Sequence, residues 1–352
     1  MAAVRKRKKL LLLLLLRQYQ DAEDVEQYLY LKSPKEREFH VRQIYKERNS
    51  KGEFHLLVKE ARLMDHELFF EMFRMTPTKY EELLAYVGPH ILKDSTRREV
   101  TSPDERLSVT LRYLVTVDAF GTIGKSYRID CTTVARIIKE TCEKLRNVLL
   151  ENGFIDVPDN REKWINVFRD YKNKWNFPNC VGAIDGKHVA IQCPPRRGSM
   201  YFNYKKFHSI VLVVNAKYEF ILVDVGDYGH LSDGSVFSSS YLGNAINSST
   251  LNLPEPRTLL SNSDFKFPYV FIGDDAFPLK PHMLKPYPGQ NPRLKERIAN
   301  YRISRARRIS ENTFGIATSR FRVFRRPICA GVDTATAVTK AVIALHNFLM
   351  KN

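Results

Sequence analysis

Three acidic residues stand where folding would bring them together, although they are far apart along the chain. Asp185 ends an apolar run that reads VGAID, Asp274 ends a second run that reads YVFIGD, and Glu311 follows on a predicted helix. If both runs are buried strands, the three carboxylates converge on one edge of a sheet. Carboxylate oxygens are the ligands that Mg²⁺ prefers, and two such ions about 3.5 to 4 Å apart can clamp the attacking and leaving oxygens of a phosphoryl transfer. The pattern therefore predicts metal-dependent chemistry on a phosphodiester.

Each of these acids also has an ordinary structural interpretation. The Asp-Gly pair at Asp185 is typical of a turn, and Asp274 or Asp275 could cap a helix. Glu311 could form an ion pair with Arg307, one helical turn earlier. These alternatives stay open for each residue taken singly, and only the set of three favours a functional site.

Positive charge is concentrated in one part of the chain. The net charge is +17, and the stretch from Lys280 to Arg326 holds 13 Lys and Arg residues against two acids. Such a concentration is typical of proteins that bind polyanions, because contacts with phosphates release counterions. A solvated helix with an arginine-rich outer face would show the same pattern. The candidates to hold the backbone of a polyanion on this predicted helix are Arg302, Arg305, Arg307 and Arg308.

Several classes of protein are disfavoured by the remaining composition. The longest apolar run, Leu10 to Leu16, is far shorter than the roughly 20 residues of a membrane span. The five cysteines form no CxxC pair, which argues against a disulfide framework and a structural zinc site. The basic run Arg5 to Lys9 is typical of a nuclear address or a nucleic-acid-binding arm. We therefore expect a protein of a reducing compartment, the nucleus in the first place and the cytoplasm as an alternative.

Changes in periodicity divide the chain into three predicted parts. Residues 1–60 form a charged N-terminal extension, residues 61–165 a helical domain, and residues 166–352 a domain of strands and helices. The helical domain carries local start signals such as Ser102 followed by Pro103. This pair predicts an N-cap and the first residue of a helix.

A helix-turn-helix is predicted inside the helical domain. Residues 122–127 and 132–139 form two predicted helices joined by a short turn, an arrangement that can place the second helix in the major groove of DNA. Arg136 and Lys139 on the second helix are the candidates for DNA contact. Packing of three helices without any DNA role produces the same pattern, so this alternative stays open.

The last part of the chain is predicted to be α/β, with a mixed sheet and flanking helices. The β-branched runs 209–214 and 220–225 are joined by five residues and predict a hairpin. A helical crossover near residues 236–245 then leads to a strand at 269–272, which should be parallel to the first strand. An Asn-Pro pair at 291–292 predicts the cap and first residue of a long helix.

Short sequence blocks between residues 178 and 349 carry a resemblance to a known family. They read GAIDGKH from Gly182, DGSVF from Asp233, GDDAFPL from Gly273, RISENTFG from Arg308 and ALHNFL from Ala344. In order and approximate spacing, they resemble the signature blocks of the PIF/Harbinger transposases. They also resemble the Harbinger transposase-derived nucleases, the domesticated branch of that family.

This resemblance implies a ribonuclease-H-like core whose acids hold Mg²⁺ or Mn²⁺ for DNA strand cleavage. Asp185 matches the first aspartate of the family, Asp274 matches the second better than Asp275 does, and Glu311 matches the glutamate. Asp233 matches a further aspartate and becomes a predicted fourth metal ligand. Its alternative role is to cap the helix that follows.

Two further expectations come from the same resemblance. A separately encoded Myb-like protein is implied as a partner that supplies DNA recognition and nuclear import. Val117 stands where the family usually has glycine, and Ala317-Thr318 replaces the usual Leu-Lys. We therefore weigh two functions: a divalent-metal-dependent DNA endonuclease, favoured by the intact acids, and a domesticated, catalytically silent nuclear DNA-binding or adaptor protein.

Overall fold

Apart from Lys8, the computed structural model describes seven stretches of the chain: residues 41–94, 100–191, 207–228, 240–248, 250–258, 264–289 and 292–351. By their internal contacts, residues 1–46 and residues 47–352 form two separate units. In the first unit the structure describes one short helix, α1 (Gln43–Lys46). The leucine run and, apart from Lys8, the basic run before it lie outside the described residues. The predicted domain boundaries at residues 60 and 165 stay predictions.

The second unit opens with helices, several of which begin at capping side chains. The Ser102 hydroxyl accepts a hydrogen bond of 3.2 Å from the Glu105 backbone N–H, so the predicted helix start is confirmed. The Asp130 carboxylate likewise accepts one of 3.0 Å from the Thr132 N–H. The helical elements in order are α2 (Arg48–Lys51), a π-helical turn (Phe54–Val58), α3 (Lys59–Met64), α4 (His66–Phe73), α5 (Pro77–Ile91), α6 (Pro103–Thr116), α7 (Phe120–Tyr127), α8 (Cys131–Glu151) and α9 (Arg161–Trp175).

A mixed sheet with further helices follows. Its elements in order are β1 (Cys180–Ala190), β2 (Phe207–Val214), β3 (Phe220–Tyr228), α10 (Tyr241–Asn247), β4 (Arg257–Thr258), β5 (Lys266–Phe267), β6 (Val270–Ile272), β7 (Met283–Leu284), α11 (Leu294–Arg320), a 3₁₀ turn (Arg322–Phe324) and α12 (Val332–Met350). The strand order is β3-β2-β1-β6-β7, with β4 and β5 paired apart. β2 is antiparallel to both of its neighbours, β1 and β3, and β6 is parallel to β1. Both the hairpin and the parallel strand are thus confirmed.

Helices cover both faces of the sheet. Because side chains alternate along a strand, Leu212 and Val214 of β2 pack in the core that includes α11 and α12, whereas Val211 and Val213 pack with Trp164 of α9. The predicted fold class, a mixed α/β sheet with flanking helices after a helical region, is confirmed. It is consistent with a ribonuclease-H-like core.

The C-terminal helix α12 connects the sheet with the helical part of the unit. It is buried along most of its length and packs on α8. The Asn347 side chain donates to the Phe220 carbonyl at 2.8 Å and accepts from the Phe220 N–H at 2.9 Å. The neighbouring His346 ring lies 2.8 Å, through Nε2, from the Tyr218 carbonyl. The closing sequence block therefore fastens α12 to the start of β3.

Strand β1 is longer than the sequence analysis predicted. It does not end at Asp185, because its pairing with β2 continues through Asp185 opposite Leu212 to Ala190 opposite Phe207. The prediction that Asp185 ends its strand was therefore wrong. Hydrogen bonding to a neighbouring strand outweighs the turn preference of a local Asp-Gly pair.

Two helices begin later than predicted. The Arg293 backbone N–H donates to the Glu296 carboxylate at 2.7 Å, so α11 starts at Leu294 and its N-cap is Arg293 rather than Asn291, which lies outside the described residues. The crossover helix α10 starts after Ser240, whose hydroxyl accepts a 3.0 Å hydrogen bond from the Gly243 N–H. In both cases a different side chain satisfies the first free backbone donors.

The backbone conformation of Val117 explains why the family usually has glycine at this position. It ends α6 with φ of 62°, in the left-handed region that β-branched residues rarely adopt and glycine adopts freely.

None of the described helices has the length and apolar character needed to cross a membrane.

Candidate metal and nucleic-acid site

Asp185 lies within β1, on the face of the sheet that α11 covers. It pairs directly with Leu212, and cross-strand partners share a face, so its side chain stands on the side of the core that includes α11. It is the first polar side chain after a buried run that ends at Ile184. Its carboxylate is therefore only partly accessible to solvent.

The parallel register of β1 and β6 places Asp274 beside Asp185. Ala183 pairs with Ile272, and each aspartate comes two residues after its member of that pair. The Asp274 carboxylate accepts a 3.0 Å hydrogen bond from the Ala276 N–H, which holds it in a turn just past β6. Asp275 is exposed, so the structure favours Asp274 as the aspartate that faces the sheet edge.

Arg307 links the sheet edge to Glu311. Its guanidinium lies 2.5 Å from the Glu311 carboxylate, one turn along α11, and 3.9 Å from that of Asp274. The ion pair that the sequence offered as the ordinary role of Glu311 is thus present. The same arginine brings Glu311 to the edge where Asp185 and Asp274 lie.

The pKa of Asp185 reflects the charges of Asp274, Glu311 and Arg307 around it. This pKa is raised from its ordinary value to about 6, mainly by burial and also by the negative charges of Asp274 and Glu311, while the positive charge of Arg307 acts to lower it. A carboxyl shifted by burial and by neighbouring carboxylates is typical of functional sites. All three predicted acids therefore share one electrostatic environment around a single guanidinium.

The donor chemistry of this group suits a hard divalent cation. Three carboxylates offer oxygen ligands only, and their mutual repulsion would be relieved by a positive ion between them. Within the stretches that the structure describes, however, no three Asp, Glu, His or Cys side chains are close enough to hold one ion together. The predicted fourth ligand, Asp233, lies outside those stretches. The acids thus fit a cation by type and by charge, while Arg307 stands among them.

The other candidate arginines of α11 differ from Arg307 in exposure. Arg302, Arg305 and Arg308 are exposed, whereas Arg307 is 31% exposed. Buried residues such as Ile303 and Ala306 turn the opposite side of α11 to the core. The helix therefore presents basic side chains to solvent on the element that carries Glu311.

A helix, a three-residue turn and a second helix are present at α7 and α8. The turn packs closely on α7, because a Cβ added to Gly124 of α7 would lie 2.5 Å from the carbonyl oxygen of Ile129 in the turn. Arg128, in the left-handed conformation within the turn, donates to the Lys51 carbonyl and the Glu47 carboxylate. On α8 Arg136 is exposed and Lys139 half-buried. Their contact with DNA stays a prediction.

Sequence analysis did not single out Lys285. This lysine directly follows β7, the neighbour of β6, and its ammonium donates to the Asp275 carbonyl at 3.2 Å. The signal was available in the strand order, since residues that follow adjacent parallel strands meet at one edge. Lys285 adds a positive charge at this edge of the sheet, next to the Asp275 backbone.

Comparison with protein families gives this geometry a context. The profile described as DDE superfamily endonuclease matches residues 184–347, from β1 to α12. Residues 184–347, just under half of the chain, are thus similar to DDE superfamily endonucleases. The three acids Asp185, Asp274 and Glu311 all lie within the matched segment. The resemblance that the sequence blocks indicated is thus confirmed by this match.

Three curated relatives extend the match into the helical part of the chain. An ALP1-like protein of Arabidopsis thaliana is 25% identical over 74% of this chain and 64% of its own length. HARBI1 of Rattus norvegicus, named as a candidate nuclease, is 22% identical over 77% and 74%. The Arabidopsis thaliana protein named Antagonist of Like Heterochromatin Protein 1 is 20% identical over 70% and 63%. The chain thus spans under two thirds of the two plant relatives. No solved structure matches it significantly.

Proposed function

We propose that this protein is a divalent-metal-dependent DNA endonuclease that hydrolyses phosphodiester bonds. The observation that carries this proposal is the gathering of Asp185, Asp274 and Glu311 at one sheet edge, within the segment that matches an endonuclease family. The HARBI1 relative is named as a candidate nuclease, which agrees with this choice.

The chain's own residues divide the work at this edge. Asp185, Asp274 and Glu311, with Asp233 as a fourth ligand, would hold Mg²⁺ or Mn²⁺. The bound cation would supply a water of lowered pKa and stabilise charge on the departing oxygen. β1 and β6 fix the two aspartates in register, and α11 brings Glu311 to them from above the sheet.

The DNA backbone would lie along the basic side of α11. Arg302, Arg305 and Arg308 are exposed there, and each can offer a planar fork of donors to phosphate oxygens. Arg136 and Lys139 of α8 would contact the duplex through the helix-turn-helix. The concentration of charge favours a nuclear DNA substrate, and a Myb-like partner remains a prediction from the family resemblance.

The test is cleavage of duplex DNA with Mg²⁺ or Mn²⁺ by wild type, Asp185→Asn and Asp275→Asn. Asp185→Asn removes a proposed ligand, and we expect its cleavage rate to fall at least about a hundredfold, on the scale of a lost catalytic group. Asp275→Asn changes the same charge at an exposed position beyond Asp274 and should cleave as wild type does. Equal cleavage by wild type and Asp185→Asn would reject the assignment.

A second function is favoured by one observation. The three acids are arranged around Arg307 rather than around a point that could hold an ion, as expected of a DNA-binding or adaptor protein that has lost turnover. One plant relative is named for antagonising a chromatin protein. Salt-dependent DNA binding that survives Asp185→Ala and Glu311→Ala, without nicking and without a metal effect, would select this alternative.

A further inference from the structure

Arg307 has surroundings that set it apart from the other arginines of α11. It contacts carboxylates on two different elements, Asp274 after β6 at 3.9 Å and Glu311 on its own helix at 2.5 Å. It is 31% exposed, whereas its neighbours Arg305 and Arg308 are exposed side chains. Arg307 therefore faces the acids rather than the open surface.

Arg307 and a bound cation would draw on the same carboxylates. The guanidinium bonds to one oxygen of Glu311 at 2.5 Å and lies 3.9 Å from one oxygen of Asp274. A divalent ion placed among the three carboxylates would also repel a guanidinium a few ångströms away. Arg307 and a metal ion would therefore compete for these carboxylates.

We propose that Arg307 is a positioning residue that holds the place of the divalent cation in the metal-free protein. This inference rests on the proposed function, since it requires the acids to bind a metal. Metal and guanidinium compete for Asp274 and Glu311, so ion binding displaces Arg307 from both. This competition means that Arg307 sets the metal concentration at which the site fills.

Calorimetric titration of the full chain with Mn²⁺, without DNA, tests the competition directly. We expect Arg307→Gln to bind Mn²⁺ about fivefold more tightly than wild type, on the modest scale of partly exposed ion pairs. The matched control is Arg308→Gln, which removes the same charge from the adjacent, exposed position. Its affinity for Mn²⁺ should stay within about twofold of wild type, since solvent screens exposed charges.

A second variant guards against loss of folding. Arg307→Lys keeps the charge but replaces the planar fork by a single ammonium, so it should compete less well than arginine. Its Mn²⁺ affinity should lie between those of wild type and Arg307→Gln. Circular dichroism in EDTA identifies any variant that has not folded. The comparison with wild type then uses whichever of Arg307→Gln and Arg307→Lys has folded.

The outcomes separate this inference from the proposed function. If wild type binds Mn²⁺ and Arg307→Gln binds it equally or more weakly, the competition is disproved while the metal site stands. If neither wild type nor any Arg307 variant binds Mn²⁺, both the inference and the metal site fail. Binding by Arg307→Gln that is tighter than that of Arg308→Gln supports the inference.

Discussion

The surroundings of Asp185 oppose the negative charge of its carboxylate. Its carboxyl is partly buried on the sheet and faces two further carboxylates, so its pKa rises to about 6. A cation beside the carboxylate would relieve this penalty. Arg307 relieves part of it in the metal-free protein.

The raised pKa of Asp185 predicts how metal-free stability depends on pH. The folded pKa lies above the unfolded one, so the contribution of Asp185 to stability is fully present below its unfolded pKa and is lost as pH rises through about 6. In EDTA at pH 8, Asp185→Asn should therefore be more stable than wild type by about 1 to 2 kcal/mol, a value reduced for solvent screening. Urea unfolding at pH 8 and pH 4.5 measures this, and an advantage that is equal at both values contradicts it.

His346 predicts the opposite pH dependence. Burial lowers its pKa to about 4, so the folded state resists a proton that the unfolded chain accepts below pH 6.5, and stability falls as pH falls from 6.5 to 4. His346→Gln removes this titration while an amide can still donate to the Tyr218 carbonyl. The variant should recover about 2 to 3 kcal/mol relative to wild type between pH 7 and pH 4. Denaturant unfolding at the two pH values checks the difference, and a constant gap would contradict it.

Among the secondary-structure elements, β1 depends on a close approach at Gly182. A Cβ at this position would lie 2.5 Å from Cγ1 of Val213 on β2 and 3.1 Å from the ring of Phe271 on β6. The missing side chain lets three strands pack at the spacing that sets Asp185 beside Asp274. The glycine in the family block is therefore a requirement of packing.

Gly182→Ala should destabilise the sheet and disturb the site together. Overpacking a filled core costs about 1 to 3 kcal/mol, and the strands must shift where the aspartates are aligned. The matched control is Gly315→Ala on α11, where a Cβ would meet nothing within 4 Å and the change should be neutral or stabilising by up to about 1 kcal/mol. Urea unfolding compares the two. A Gly182→Ala protein as stable as wild type would show that the contact relaxes freely.

Across the whole chain, the net charge of +17 predicts DNA affinity that falls steeply with salt. Arg305→Ala and Arg136→Ala should each weaken binding to any sequence and reduce the slope of log affinity against log salt by about one, the loss of one phosphate contact. Arg161→Ala is the control, because Arg161 lies on α9 and pairs with Glu255. Fluorescence anisotropy over a range of salt gives the slopes. Identical slopes for Arg305→Ala and Arg161→Ala would remove α11 from the interface.

Local signals in the sequence were sufficient for the type and order of the main elements and for the family resemblance. Ser102 caps its helix through a bond to a residue three positions away, and the hairpin of β2 and β3 closes over five residues. Each of the sequence blocks around Asp185, Asp274 and Glu311 is only a few residues long. Such signals depend on short-range hydrogen bonds and on alternating burial, so the fold class was predictable, while the metal-binding role of the three acids stays a prediction.

Contacts between distant segments decided the rest. Asp185 lies inside a strand because β2, more than twenty residues later, continues to pair with it. Arg307 joins Glu311 to Asp274, although the two acids belong to different elements. Asn347 fastens α12 to Phe220, far away along the chain. Only tertiary structure determines these contacts, because each depends on which residues packing brings within hydrogen-bonding distance, and no local pattern encodes that.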